Sequence, residues 1–366
     1  MKICVIVGTR PEIIKMQPIL FEIQKRNHNL IFVHTGQHYD FMMSDIFINE
    51  LKISRPDYFL KVKTLSQSMQ IAEIIASCDP ILKAENPDIV LVQGDTNSAL
   101  GGSIASAKLD LPVGHVEAGC RSFDRHMPEE INRVLISDIA TFNFAPTKNC
   151  MINLQREGIK SENIFLTGHP IVDVLSNISN QIDTTVLYKL GINQKKYYLI
   201  TIHRRENIEN KEKLIEILKA LDLISDKVLL IFPCHPHTEL QINKFGFSNY
   251  LKKIKTIKTV GYHESLSLIQ NARLVLTDSG GIQQEAAILG TPCITLRNET
   301  EWIETIEKGI NFLTGHESNN ITKTITEVEK NYSTIQKKFI LAEGLFGHQG
   351  TACRILKSIE QELPCR

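Results

Sequence analysis

The chain has 366 residues, more than one hydrophobic core usually accommodates, so two domains are expected. Hydrophobic residues make up 42% and charged residues 22%, and 41 basic residues balance 41 acidic ones, which excludes the basic excess of a general nucleic-acid binder. The N-terminal apolar run is too short for a signal peptide or a membrane span, and the eight scattered cysteines form no C-x-x-C motif. These features favour a reduced, cytoplasmic protein that does not bind membranes.

Apolar segments of strand length alternate with amphipathic segments along the whole chain. In chain order, the predicted strands are Lys2–Val7, Leu30–His34, Ile89–Gln93, Val113–Glu117, Thr141–Ala145, Tyr198–Ile202, Val228–Phe232, Leu274–Thr277 and Cys293–Leu296. The clearest predicted helices are Ser66–Glu85, Lys211–Ile224 and Ile282–Leu289. Several strands are unbroken runs of Val, Ile and Leu, which is typical of parallel strands covered on both faces. The pattern predicts an α/β fold with doubly wound, Rossmann-like sheets.

The strand–helix rhythm breaks in the middle of the chain, between Gly168 and Lys196, where a Gly-His-Pro sequence precedes a polar stretch. We place the domain junction there, which predicts one doubly wound domain over residues 1–168 and a second over residues 169–350. In such sheets ligands bind beyond the carboxyl ends of the strands. The site is therefore expected in a cleft between the two domains.

Polar and charged residues follow five of the nine predicted strands. These residues are Asp95, Glu117 with Glu129 and Arg133, His203, His235, and Glu285. Any single one of them is better explained as a solvated loop charge. As a set they indicate a functional edge, because carboxylates close to histidine and arginine are the groups that general acid–base catalysis uses.

Ser279-Gly280-Gly281 precedes an apolar predicted helix, and glycines there let a phosphate approach the backbone N–H groups of the helix end. The alternative is an ordinary N-cap by Ser279. Glu285, about one turn into this helix, is placed to accept hydrogen bonds from ribose hydroxyls, or else it complements the helix dipole. The pair His235 and His237 lacks a carboxylate or cysteine at ligand spacing, so no metal site is predicted.

The first helix raises a separate question, because Arg10 and Lys15 lie at its start, where the helix dipole disfavours cations. Either both side chains point into water, or an anion at this helix end makes the arrangement favourable.

Seven motifs occur in the order seen in the non-hydrolysing UDP-N-acetylglucosamine 2-epimerases, and together they make the chain resemble that family. The motifs are G-T-R-P-E-I-I-K, H-T-G-Q-H-Y-D, Q-G-D-T-N-S, H-V-E-A-G, M-P-E-E-I-N-R, I-H-R-R-E-N and T-D-S-G-G-I-Q-Q-E. The resemblance covers nearly the whole chain. It implies a GT-B fold whose last helix, 351–366, crosses back to the first domain, a homodimer, and no nicotinamide or metal cofactor.

The resemblance also implies a reaction at C2 of a UDP-sugar. UDP-N-acetylglucosamine loses its C2 proton and its UDP in an anti elimination to 2-acetamidoglucal. Protonation on the other face and re-addition of UDP then give UDP-N-acetylmannosamine. By motif position, Asp95, Glu117 and Glu129 resemble the family's acid–base carboxylates, and His203 resembles its catalytic or diphosphate-contacting histidine. Which carboxylate serves which face of C2 stays open at this point.

Arg10 and Lys15 match family residues that face UDP. We therefore expect the anion at the first helix to be the diphosphate, which Ser279-Gly280-Gly281 of the second domain also holds. The remaining residues that we expect to bind substrate are His235, Glu285 and Arg133.

The chain departs from the family pattern at residues 300–304, where T-E-W-I-E replaces the usual T-E-R-P-E. Trp302 either stacks on the uracil or packs locally. This variant and R-S-F-D-R-H-M-P-E-E resemble relatives that epimerise UDP-2,3-diacetamido-2,3-dideoxy-glucuronate, whereas G-T-R-P-E does not. A carboxylated sugar needs a further cation, for which Arg121, Arg125 and Arg204 are the candidates.

Three other functions are consistent with parts of the pattern. A hydrolysing epimerase, which releases UDP and free N-acetylmannosamine, shares most motifs but usually departs from G-T-R-P-E. A GT-B glycosyltransferase needs no cluster of three carboxylates around C2. A nucleotide-sugar sensor without catalysis has no need to keep these carboxylates.

Overall fold

The computed structural model describes residues 1–37, 52–62, 66–178, 182 and 184–363. It divides into two compact units: unit 1 comprises Met1–Asn177 with Phe346–Arg366, and unit 2 comprises Ile178–Leu345. Parts of the predicted H-T-G-Q-H-Y-D motif, of the polar stretch at the junction and of the last helix lie outside the described residues.

The boundary between the units differs from the predicted junction at residue 168. Helix Pro170–Ile178, except for its last residue, belongs to unit 1, where Asp173 accepts hydrogen bonds from the backbone N–H groups of Gly350 (2.6 Å) and Ala352 (2.9 Å). The return to unit 1 likewise begins at Phe346, upstream of the expected residue 351.

Among its described residues, unit 1 contains seven parallel strands in the order β3-β2-β1-β4-β5-β6-β7. The strands are β1 Lys2–Val7, β2 Asn29–His34, β3 Tyr58–Phe59, β4 Ile89–Gln93, β5 Val113–Val116, β6 Phe142–Ala145 and β7 Ile164–Leu166. The helices are Arg10–Lys25, Gln67–Glu85, Asn97–Ala107, Pro128–Ile139, Lys148–Arg156, Pro170–Ile178 and Thr351–Glu362, with a 3-10 turn at Ser161–Asn163. The central strands are unbroken apolar runs, and burial of both faces makes them the core of the unit.

Unit 2 contains six parallel strands in the order β10-β9-β8-β11-β12-β13. The strands are β8 Tyr197–Thr201, β9 Leu229–Pro233, β10 Lys255–Ile257, β11 Leu274–Thr277, β12 Cys293–Thr295 and β13 Asn311–Leu313. The helices are Thr185–Leu190, Arg205–Ile208, Lys211–Ser225, Pro236–Lys244, Tyr262–Asn271, Gly280–Ile288, Ile303–Glu307, Ser318–Lys330 and Tyr332–Leu341, with a 3-10 turn at Ser248–Leu251. Two apolar clusters cover the two faces of this sheet.

The predicted α/β class with two doubly wound sheets is confirmed, and all nine predicted strands are present with ends shifted by at most one residue. In each sheet the strand order reverses once, between β1 and β4 in unit 1 and between β8 and β11 in unit 2. Ligands bind at the carboxyl ends of the strands next to such a reversal. Among the helices in the described part of the chain, none has the length and apolarity needed to cross a bilayer.

Candidate functional site

The predicted acid–base residues of unit 1 follow the strands at its reversal point. β4 leads into Gly94-Asp95, and β5 leads into Glu117. Glu117 has a φ of 73°, in the left-handed region that a glutamate rarely adopts. Such strain persists where the surroundings fix it, and it is concentrated at functional sites.

The carboxylate of Glu117 accepts hydrogen bonds from two side chains and lies close to a histidine, and the three come from separate parts of unit 1. Oε2 is 2.7 Å from Nζ of Lys15 and 3.2 Å from Nε2 of His169, and it accepts a short hydrogen bond from the side-chain amide of Gln93. Only 10% of the Glu117 side chain and 13% of the Lys15 side chain are exposed. Burial raises the pKa of Glu117, but Lys15 and His169 outweigh burial and bring this pKa down to about 2. Glu117 is therefore a carboxylate at neutral pH.

Glu117 is therefore the counter-ion of Lys15. We expected the diphosphate of a ligand at this helix start, whereas the structure places Glu117 against Lys15. Burial lowers the pKa of Lys15, and the charge of Glu117 raises it above its ordinary value. Arg10, at the first residue of the helix, is half-buried.

A second buried carboxylate, Glu12, ties the loop after β1 to the loop after β4. It accepts hydrogen bonds from the backbone N–H groups of Gly8 (3.0 Å) and Thr9 (2.7 Å) and from the hydroxyl of Thr96 (2.8 Å). Burial raises the pKa of Glu12 to about 7, against the opposing effect of these hydrogen bonds. Glu12 therefore holds the backbone beside Asp95 in place.

Asp95 is held by helix Pro128–Ile139. The guanidinium of Arg133 donates to the Asp95 carboxylate (2.5 Å) and to Glu130 (2.8 Å), and the side chain of Asn132 donates to the Asp95 carbonyl (2.8 Å). Arg133 was expected to bind substrate, but it is only 5% exposed and these carboxylates occupy it. It is better described as a residue that positions Asp95, whose side chain keeps 29% of its surface exposed.

Glu129 lies in the first turn of the same helix and is half-buried. No residue in the described part of the chain forms a hydrogen bond or an ion pair with its carboxylate. Its neighbour Glu130 is buried and accepts from the backbone N–H groups of Ser122 (3.0 Å) and Phe123 (3.1 Å). The two adjacent glutamates therefore differ, with Glu130 tied to the loop and Glu129 open to a ligand.

In unit 2, the predicted histidine His203 follows β8, and Asp278 follows β11 at the reversal point. Asp278 is fully buried and accepts from the backbone N–H groups of His203 (3.1 Å) and Arg204 (3.0 Å) and from the side chain of Asn207 (3.1 Å). The imidazole of His203 remains 46% exposed, with Nδ1 3.7 Å from Asp278. Asp278 thus fixes the backbone and leaves the ring accessible.

The predicted phosphate-binding segment lies at the start of helix Gly280–Ile288, immediately after Asp278. No described residue accepts a hydrogen bond from the backbone N–H groups of Gly280 or Gly281, whereas the Ser279 N–H donates to the Thr277 hydroxyl (3.0 Å). Glu285 is 8% exposed and lies further along this helix. Free N–H groups at a helix N-terminus are a suitable anion-binding arrangement.

The remaining residues singled out in the sequence differ in how accessible their side chains are. His235 is exposed and caps helix Pro236–Lys244, its Nδ1 accepting from the His237 N–H (3.2 Å). Trp302 is 2% exposed and lies near Gly280, which corresponds to local packing, one of the two interpretations left open above. No group of three or more potential metal ligands occurs within the described ranges.

The three arginines considered for a carboxylated sugar differ sharply. Arg121 is 2% exposed, forms a bidentate ion pair with Glu157 (2.8 and 2.7 Å) and donates to the Cys120 carbonyl (2.7 Å). Its guanidinium is therefore occupied. Arg125 is exposed, and Arg204 is half-buried with its Nε donating to the Asp278 carbonyl (3.0 Å).

Sequence reasoning missed Gln93, His169, Glu12 and Asp278. Gln93 is the one polar residue of the β4 run I-V-L-V-Q, which is a usable signal at the end of a buried strand. His169 belongs to the Gly-His-Pro sequence that we used only as a break in the pattern. Glu12 and Asp278 lie inside two of the quoted motifs.

Two Rossmann-like units with polar groups at their strand reversals are the architecture of the GT-B class. A family profile described as UDP-N-acetylglucosamine 2-epimerase matches residues 22–360. The chain belongs to this family.

Individual relatives agree with that assignment. A UDP-N-acetylglucosamine 2-epimerase of Methanococcus maripaludis is 44% identical over 339 residues, which are 90% of this chain and 92% of the relative. A UDP-2,3-diacetamido-2,3-dideoxy-D-glucuronate 2-epimerase of Pseudomonas aeruginosa is 37% identical over 86% of this chain and 88% of its own. The crystal structure of Methanocaldococcus jannaschii UDP-GlcNAc 2-epimerase in complex with UDP-GlcNAc and UDP has a TM-score of 0.88 and 40% identity, covering 99% of this chain and 100% of that one.

Proposed function

We propose that this chain interconverts UDP-N-acetylglucosamine and UDP-N-acetylmannosamine without net hydrolysis. The observation that carries the proposal is the buried, ionised carboxylate of Glu117, fixed in a strained backbone conformation beside Asp95 and its positioning residues. A general base must be unprotonated at the working pH and held at a fixed position, and the Glu117 carboxylate meets both conditions. Family membership and the 44% identity to a UDP-N-acetylglucosamine 2-epimerase support this substrate.

In the proposed elimination, Glu117 takes the C2 proton. The electrons of the broken C2–H bond form the C1–C2 double bond, and the C1–O bond breaks with its electrons leaving on UDP. Asp95 or Glu129 then delivers a proton to the opposite face of C2, and a diphosphate oxygen attacks C1 to restore the UDP-sugar. Glu129 is the better candidate for this acid, because no described residue pairs with it, whereas Arg133 pairs with Asp95.

We assign the candidate nucleotide-binding groups of each unit separately. In unit 2, the free N–H groups of Gly280 and Gly281 suit the diphosphate, the exposed imidazoles of His203 and His235 suit its oxygens, and Glu285 suits the ribose. Arg10 is the candidate cation from unit 1. The assignment makes unit 1 the source of acid–base groups and unit 2 the main source of UDP-binding groups.

The test is proton NMR of UDP-N-acetylglucosamine with the enzyme in D2O. We expect intact UDP-N-acetylmannosamine with deuterium at C2. Glu117→Gln should lower deuterium incorporation at least about 100-fold, since an amide cannot take the proton. The control Glu162→Gln changes a side chain that is 75% exposed, and it should leave the rate unchanged.

Other outcomes distinguish the alternatives. Free UDP with N-acetylmannosamine identifies a hydrolysing epimerase. Turnover of UDP-2,3-diacetamido-2,3-dideoxy-glucuronate alone identifies the substrate of the Pseudomonas relative, although the pairing of Arg121 with Glu157 removes one of the cations proposed for a uronate. Deuterium-free, unchanged substrate in both reactions refutes epimerisation.

Two broader features are also proposed from family membership. We infer that the enzyme is a homodimer and acts in the cytoplasm. Ile131 and Leu135, one turn apart on helix Pro128–Ile139, are 43% and 44% exposed, which is the kind of apolar surface that a subunit contact covers. Sedimentation equilibrium of the full chain tests the dimer, and a monomer at micromolar concentration would refute it.

A further inference from the structure

The two carboxylate oxygens of Glu117 have different surroundings. Oε2 receives Nζ of Lys15 (2.7 Å), the side-chain amide of Gln93 and the close approach of His169 Nε2 (3.2 Å). No residue of the described ranges hydrogen-bonds to Oε1. The two hydrogen bonds to Oε2, together with the close approach of His169, fix the rotation of the carboxylate and leave the lone pairs of the other oxygen available.

The hydrogen bond at Nδ1 determines the tautomer of His169. Nδ1 accepts a hydrogen bond from the backbone N–H of Ile171 (3.0 Å), so in the neutral ring the proton resides on Nε2, which faces Glu117. The ring is fully buried, and this burial lowers the pKa of His169 despite the neighbouring carboxylate. His169 is thus a neutral ring that carries its proton on the nitrogen next to Oε2.

The backbone around His169 is held by the C-terminal part of unit 1. The His169 N–H donates to the Phe346 carbonyl (2.8 Å), and the Phe346 ring packs edge-on against the imidazole at 6.2 Å between centroids. The Thr351 hydroxyl donates to the His169 carbonyl (3.4 Å). The chain approaches so closely here that a Cβ on Gly347 would lie 2.8 Å from Cα of Gly168. These contacts leave the imidazole little freedom to move away from Glu117.

We propose that His169 is a positioning residue for Glu117: its Nε2–H holds Oε2, so that Oε1 is the oxygen that takes the C2 proton. This role rests on the proposed function. The charged group that faces Glu117 is Lys15 of the first helix, which also interacts electrostatically with Asp95. Lys15 supplies charge, whereas His169, fixed by the hydrogen bond to Nδ1 and by its packing against Phe346, supplies direction.

Two substitutions separate the hydrogen bond of Nδ1 with Ile171 from the proposed interaction of Nε2–H with Glu117. In His169→Asn the amide oxygen can still accept from the Ile171 N–H, but the side chain is too short to reach Glu117. In His169→Gln the longer amide can still donate to Oε2. We expect kcat for UDP-N-acetylglucosamine to fall about 10- to 100-fold in His169→Asn with KM changed less than about threefold, and most of this loss to be recovered in His169→Gln.

The matched control is His28→Asn. His28 also contacts a glutamate in unit 1, with Nε2 2.8 Å from Glu360 Oε1, but its partner is on the last helix. The His28→Asn variant should have the same kcat as the wild type. The proposal is overturned if His169→Asn keeps kcat within about twofold, if KM alone changes, or if His169→Gln is as impaired as His169→Asn.

A measurement on the unmodified enzyme does not depend on whether the variants fold. Nitrogen-15 NMR of histidine-labelled enzyme at pH 7, with His169 assigned by the signal missing in His169→Gln or by its coupling to Ile171, reports which ring nitrogen carries the proton. We expect a neutral Nε2–H ring, and a protonated Nδ1 or a charged ring overturns the proposal. A wild type that does not exchange the C2 proton refutes the proposed function, while the NMR result still decides the contact.

Discussion

Replacing Lys15 with methionine tests the electrostatic account of Glu117. The ion pair has an N–O distance of 2.7 Å, and both side chains are about nine-tenths buried. Lys15 and His169 together hold the pKa of Glu117 at about 2, against an ordinary value of 4.5, which corresponds to roughly 3 kcal/mol of stability. Lys15→Met leaves the carboxylate buried without its cation, and such a loss costs about 3 kcal/mol or more at pH 7.

The stabilities of the wild type and of Lys15→Met should depend on pH in opposite directions. In the wild type the folded pKa is depressed, so the contribution of Glu117 is complete above about pH 4.5 and is lost as the pH falls towards 2. In Lys15→Met, burial dominates and raises the pKa of Glu117, so the folded variant gains stability as it takes up a proton between pH 7 and 5. The difference between the two proteins should therefore shrink on acidification.

The assay is hydrogen exchange followed by mass spectrometry on peptides from β1 and β5, converted to free energies of opening at pH 7 and pH 5. Trp302 lies in unit 2, so its fluorescence does not follow unit 1. The matched control is Lys83→Met, which removes an ion pair of the same 2.7 Å length between exposed side chains of Lys83 and Asp79. It should cost less than about 1 kcal/mol. Equal costs for the two variants, or a cost independent of pH, would refute the reasoning.

Further predictions concern the backbone, a second carboxylate and a buried cation. Gly119→Ala should destabilise unit 1 by more than about 2 kcal/mol in urea unfolding, because the added Cβ would lie 2.2 Å from the Cys150 carbonyl oxygen. The control is Gly158→Ala, which has a similar φ but no neighbour within 4 Å, and it should cost only about 1 kcal/mol. The folded pKa of Glu12 is raised to about 7, so its stabilising contribution, complete below 4.5, is lost as the pH rises to 7; Glu12→Gln should abolish that loss in thermal melts. Arg121→Met should lower the melting temperature without changing KM for any UDP-sugar.

Each of these three predictions has an outcome that would contradict it. Equal costs for the two glycine substitutions would mean that the left-handed φ, and not the close backbone approach, determines the effect. An unchanged pH slope in Glu12→Gln would assign the slope to another group. A selective rise of KM for a uronate substrate in Arg121→Met would restore that arginine as a substrate contact.

The strands that sequence reasoning found and the strands that it missed differ in their position in the sheet. The nine predicted strands include every interior one, because strands buried on both faces are continuous apolar runs. The four missed strands, β3, β7, β10 and β13, are the four edges of the two sheets. Each has two or three residues and is at least partly exposed, so neither an apolar run nor a regular alternation marks it.

In the candidate site, local sequence was enough to predict some residues, whereas contacts between residues far apart in the chain could not be predicted. The rule that strand ends gather at one edge was enough to select Asp95 and Glu117. It did not reveal that Lys15 pairs with Glu117, because residues 102 positions apart in the chain leave no local pattern. The role of His169 depends on contacts with residues 346–351, which only the folded chain brings beside it.

The discontinuity of unit 1 has a consequence for the order of events during synthesis. Residues 1–177 leave the ribosome first, but residues 346–351, which hold His169, emerge only after all of unit 2. Unit 2 is contiguous and can fold as soon as it is released. A nascent chain that ends before residue 346 therefore carries Asp95, Glu117 and Glu129 without the segment that locks His169 in place. Completion of the C-terminal segment, and not synthesis of the carboxylates, then determines when the acid–base cluster acquires its final geometry.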